Sequence, residues 1–190
     1  MRHKKEWFVS GRKIVVHDKM QNYTYLLTYK CGTNIKNGGL DSNGAIIRYD
    51  SFKPAYSPQR MLQMGVFEGK YINDGEHEYP TEWYTKARLS KDADPEMNFF
   101  GIKSRLSLQE WRDRGWVPVH KKDKDVRGWF QWYCRYYLGR RIPEVDSIQI
   151  ARWKAFARHY AQVQKHAKNR VDKRKKQRQA LLQWAWPCCD

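Results

Sequence analysis

Three side chains could move a proton or hold a developing negative charge: Asp74, His159 and Arg135. A carboxylate or an imidazole can serve as acid or base near neutrality, and a guanidinium can stabilise an anion. No spacing ties them into a known catalytic signature. They stand as candidates for an acid–base pocket acting on nucleic acid or a phosphorylated small molecule. A second set suits binding. Arg152, His159 and His166 recur at seven-residue steps, flanked by Arg158 and Lys165, which places them on one face of a helix as a polar stripe. Arg140 and Arg141 occupy the turn before that helix. Cations so placed can contact successive phosphates. Trp129, Trp132 and Tyr136 lie just upstream, and any of them that is exposed can stack on bases.

The loop GKYINDGEHEYP brings Asp74, Glu76, His77 and Glu78 together, but this order matches no metal motif, and no metal is expected. The four cysteines, Cys31, Cys134, Cys188 and Cys189, show no CxxC spacing. They imply a reduced, intracellular chain, in the cytoplasm or nucleus, without a zinc site. No cofactor fingerprint is present. No apolar run is long enough to span a membrane, which requires about 18 residues or more. Basic residues near the start, Arg2, Lys4, Lys5, Arg12 and Lys13, leave an organelle address open, although Glu6 and the strand-like residues after it fit one poorly.

The elements that must position these groups are mainly helical. Residues 1–48 read as an extension with short strands, rich in β-branched and aromatic residues and broken by NGG and NG turns. Residues 49–186 read as a helical, aromatic-rich core, and residues 187–190 as a tail. Ser57, Pro58 and Gly65 bracket a first helix. A short helix is expected over 81–89, and Ser107 with Glu110 forms a capping box for another that stops at Gly115. Asp125 is placed to cap a helix over 126–138 that ends at Gly139. Pro143 opens a long helix over about 144–168, with Val145, Ile148, Trp153, Phe156, Tyr160 and Val163 on its buried face. A last helix covers about 177–186. The expected fold is thus α+β, with short helices around a central hairpin at 126–168 and a core built on Trp111, Trp116, Trp129, Trp132, Trp153, Phe156 and Trp184.

Charge points to the partner. The chain carries 37 Lys and Arg against 20 Asp and Glu, a net +17. Residues 126–190 hold 15 of those cations and only 4 carboxylates. Such an excess favours a polyanion, DNA or RNA. A nucleic-acid-binding protein is therefore the first expectation. An enzyme on the same class of substrate is the second, and a structural component of a ribonucleoprotein or other assembly the third. Arg135 needs separate treatment, because an unpaired guanidinium inside an apolar helix costs several kcal/mol, roughly. It must meet a carboxylate, with Asp74, Glu110 and Asp146 as candidates, a set of carbonyls, or else a ligand's anion in an open pocket. The segments GVFEGKYIND, RGWFQWYCRYYLGRR, RWKAFARHYAQV and RQALLQWAW resemble a family of small bacterial and eukaryotic proteins with no established activity. The likeness spans roughly Tyr49–Trp186 and implies no catalytic residues.

Overall fold

In the computed structural model of the chain, the described residues are 12–17, 22–27, 39–40, 46–75, 78–104, 106, 108–115 and 125–189. These are mainly helical. Ahead of the helices, Arg12–His17 pairs antiparallel with Asn22–Leu27, and Gly39–Leu40 with Ile46–Ile47. Trp116, Cys31, Glu76 and His77 lie outside the described residues.

Helix α1 (Pro58–Met64) begins and ends on local signals. The Ser57 hydroxyl accepts from the Arg60 N–H at 3.1 Å, and Gly65 closes the helix at φ 104°. Only glycine fits there, since a Cβ would lie 2.1 Å from the Met97 carbonyl oxygen. Three single turns of 3₁₀ helix follow, at Phe67–Gly69, Thr81–Trp83 and Pro95–Met97. The helix expected over 81–89 shrinks to the second of these. Downstream of it the Arg88 N–H goes to the Leu62 carbonyl at 3.0 Å and the Ser90 N–H to the Gly69 carbonyl at 2.8 Å. Those long-range bonds compete with an i→i−4 ladder and win. Helix α2 (Leu108–Asp113) comes next, and Gly115 follows it at φ 66°.

Helix α3 (Trp129–Tyr137) is the centre. Trp129, Phe130, Trp132, Tyr133, Cys134 and Tyr136 are all buried, so the helix is enclosed on nearly every side. Phe52 reaches it from the N-terminal side, its ring 5.5, 5.8 and 5.3 Å from those of Trp132, Tyr133 and Tyr136, and 5.0 Å from that of Trp153. The helix starts three residues later than Asp125 would dictate as a cap, with Gly128 at the N-cap position. Asp125 is taken up by buried arginines instead.

The single long helix is corrected to two, α4 (Pro143–Ala155) and α5 (Ala157–Ala167), parted at Phe156. There the Phe156 N–H bonds to the Trp153 carbonyl, three residues back, and its ring stacks on Trp184 at 4.4 Å. The buried face of α4 also differs from the expected one. Asp146, Gln149, Ile150 and Trp153 point inward, whereas Ile148 is 57% exposed. Asp146 fixes this rotation by accepting from the Trp132 indole N–H at 2.8 Å and the Ile142 N–H at 2.9 Å. Helix α6 (Lys175–Gln183) packs on α5. The residues after it are not a loose tail, because Cys188 is buried and its carbonyl accepts from Arg178 at 2.6 Å.

Candidate functional site

The arginines divide into two populations, and only one of them can meet a partner. In the interior, Arg135 is 0% exposed. Its Nε and Nη2 donate to the Glu78 carboxylate at 2.6 and 3.2 Å, and its Nη1 donates to Asp125 at 2.9 Å. Asp125 then holds Arg140 in a two-pronged pair at 2.9 and 2.6 Å. Burial alone would raise the Asp125 carboxyl, but the guanidiniums of Arg140 and Arg135 outweigh it and hold it below its ordinary value. For Arg135, burial pulls the other way, and Tyr79, Glu78 and Asp125 more than offset it, so the cation is firmly retained. The expected structural ion pair is therefore present, with Glu78 and Asp125 as partners in place of Asp74, Glu110 or Asp146.

Arg141 is buried as well. Its guanidinium carbon sits 3.6 Å over the centre of the Tyr136 ring, and its Nη1 donates to the carbonyls of Tyr136 and Arg140 at 2.7 and 2.8 Å. The Arg140–Arg141 turn thus closes the core and offers no cation to solvent. The same correction applies to Trp129, Trp132 and Tyr136, which are 4%, 0% and 1% exposed and present no open stacking face on the protein surface. The cause is hydrophobic: an aromatic helix at the centre of a chain of this size is worth more buried than displayed.

The surface cations lie elsewhere. Arg158, Lys165 and His166 project from α5 and are exposed, while Arg152 on α4 and His159 on α5 are half-buried. His159 lies against Phe156, with ring centroids 5.1 Å apart. Beyond α5 the chain turns a corner into α6, and residues 165–176 are dense in cations: Lys165, Lys168, Arg170, Lys173, Arg174, Lys175 and Lys176. Apart from buried Ala167, every residue of that stretch from 165 to 176 is exposed. Its one acid, Asp172, faces Lys173 at 3.5 Å. Two features of α6 make this corner electrostatically unfavourable by itself. The N-cap residue, Arg174, is in the left-handed region (φ 55°) and makes no side-chain cap, and the first turn contains no acid. Cations therefore crowd the positive end of a helix, which favours anions.

Arg178 builds the corner from beneath. It is 0% exposed, and its guanidinium donates to the carbonyls of Lys173, Ala167 and Cys188, tying together the end of α5, the turn and the C-terminal segment. A lysine cannot reproduce that fork. Replacing it, Arg178→Lys, is expected to lower stability by about 1.5–3 kcal/mol, the worth of one hydrogen bond to a charged group. A urea titration measures this, and an unchanged midpoint would show that the fork does not matter.

The three acid–base candidates do not form one pocket. Asp74 is held by Arg127 through two bonds of 2.7 Å, and Arg127 also donates to the Tyr71 carbonyl. Arg135 is sealed by its carboxylates, and His159 lies against the Phe156 ring. Among the described residues, no cluster of His, Cys, Asp and Glu is arranged to hold a metal, and no helix is long and apolar enough to cross a membrane. Sequence reasoning weighed Glu78 only as part of a metal or acid–base loop, missed the structural roles of Arg127 and Arg178, and misassigned Asp125 as a cap. Arg178 carried one signal: Leu181 and Leu182 lie three and four residues on, so it shares their buried face of α6.

A cavity of about 350 Å³ lies where α3, α4, α6 and the end of α2 meet. Trp111, Trp129, Phe156 and Trp184 wall it beside Gly115 and Gly128, and among the described residues Arg152 is its one charged lining residue. No family model matches the chain, and neither a curated protein nor a solved structure matches it.

Proposed function

We propose that the chain binds nucleic acid through the exposed basic corner between α5 and α6, with Arg158 and Lys165 extending the surface along α5. The observation that carries this reading is the exposed run of cations at 165–176 with a single carboxylate among them. Self-repulsion there costs stability, and a polyphosphate backbone relieves it while releasing its own counterions. In this reading Arg140, Arg141, Trp129, Trp132 and Tyr136 hold the fold, and the N-terminal strand pairs are a minor β element appended to the helical core. Turnover at Asp74, His159 and Arg135 is disfavoured, because two of the three are already engaged.

The experiment is a binding titration with a fluorescently labelled oligonucleotide at low salt. Replacing Lys168, Lys175 and Lys176 together by alanine touches only exposed side chains and is expected to leave the melting temperature within about 1–2 °C, since surface changes are usually worth less than about 0.5 kcal/mol. Affinity is expected to fall by at least about tenfold, as each lost phosphate contact removes a released counterion. Unchanged affinity would remove the corner from the interface.

A further inference from the structure

We infer that the aromatic cavity beside Phe156 is a nucleobase pocket, with Arg152 holding the phosphate of the same nucleotide. This rests on the nucleic-acid reading above and goes further, giving that surface a means of gripping single strands. The cavity is lined by Trp111, Trp129, Phe156 and Trp184. Its volume falls at the lower end of small-ligand pockets, roughly 300–1,000 Å³. Among the described residues a Cβ at Gly115 would meet nothing within 4 Å.

Two polar features select the occupant. The indole N–H of Trp129 is buried and has no hydrogen-bond partner among the described residues, so an occupant with an acceptor is favoured. Among the described residues Arg152 faces no carboxylate, and its one hydrogen bond there is a long one, 3.5 Å, to the Gln149 side chain. The ligand therefore has a flat apolar body, an acceptor on its edge and one anionic group. A nucleobase with its 5′-phosphate has all three. Position supports the same choice. Phe156 opens α5, and α5 runs from the cavity to the basic corner, a distance of about 16 Å for its 11 residues. Arg158 and Lys165 are exposed along that path. A single strand can leave its base in the cavity and lay its backbone towards the corner.

The test compares an oligothymidylate with an abasic oligomer of the same length and charge. The base-bearing strand is expected to bind at least about tenfold tighter, the size of one base–aromatic stack. Arg152→Gln, a change at a half-buried rim residue, is expected to reduce that affinity by about tenfold, for one charge-assisted bond. A strand carrying 5-iodouracil is expected to crosslink under ultraviolet light to Trp111, Trp129, Phe156 or Trp184, mapped by mass spectrometry. This readout needs no variant in the aromatic walls. Equal binding of base-bearing and abasic strands, or crosslinks confined to other residues, would overturn the pocket while leaving the basic corner in place. Failure of both strands to bind would overturn the corner and the pocket together. Displacement of the crosslink by a saturated fatty acid, with none by thymidine 5′-monophosphate, would assign the cavity to an aliphatic anion and overturn the inference.

Discussion

Asp125→Asn is expected to destabilise the protein by about 3–5 kcal/mol, the cost of removing one partner from a buried ion network. Asp125 serves two guanidiniums at once, and an amide in its place would turn N–H donors towards one of them. Arg135 keeps Glu78, whereas Arg140 loses the carboxylate that holds both of its terminal nitrogens. The loss depends on pH in a defined direction. A carboxyl held below its ordinary 3.8 contributes stability that is complete above 3.8 and disappears as pH falls through its lower folded value. Asp146 works in the opposite sense: burial raises it, so its contribution is present at low pH and is lost as pH rises through its folded value. Both chains keep Asp146, so the difference between them isolates Asp125. Urea titrations should show the gap between wild type and Asp125→Asn narrowing below pH 3.8. A gap constant from pH 7 to pH 2 would mean that the network is not charged as described.

Phe52→Ala is expected to cost about 3–5 kcal/mol, as for other large-to-small changes in close-packed cores. Phe52 is 2% exposed, and its ring meets Tyr133, Tyr136 and Trp153 edge-on at interplanar angles of 87°, 88° and 87°. It joins the segment before α1 to both α3 and α4. Its removal leaves a hole that four large, fixed rings cannot easily collapse into. Denaturant unfolding measures the loss, and a cost below about 1 kcal/mol would show that this junction is loosely packed.

How much of this was legible in the sequence follows from the range of each signal. Ser57, Pro58, Gly65 and Gly115 act within a turn of themselves, and the helices they bound are where those residues place them. Pro143 likewise opens α4. The break at Phe156 was not legible, because it depends on Trp184, which stacks on Phe156 from the far end of α6. The fate of the arginines was hidden for the same reason. Arg135 and Arg140 look like phosphate ligands among aromatic residues, and their sequence gives no hint of Glu78, which is 57 residues from Arg135. The aromatic and cationic texture of 125–166 thus had two readings, a stacking surface and a packed core held by internal ion pairs. Only the positions of distant carboxylates separate them. Of the basic surface, the cation excess over 126–190 was legible, but its concentration at the exposed stretch 165–176 emerges only once the arginines of α3 and the following turn are seen to be buried.

The measurement that bears most directly on the account is the salt dependence of oligonucleotide affinity. For a single strand, log K falls with log salt at a slope of about −0.7 per phosphate neutralised. Wild type is expected to give a steep slope, and the Lys168, Lys175 and Lys176 triple alanine variant a slope shallower by about 2, for three lost contacts. Arg158→Ala should add about 0.7 more if the path along α5 is used. A slope near zero in wild type, or one that the triple variant leaves unchanged, would contradict the assignment of the α5–α6 corner as the surface that meets nucleic acid.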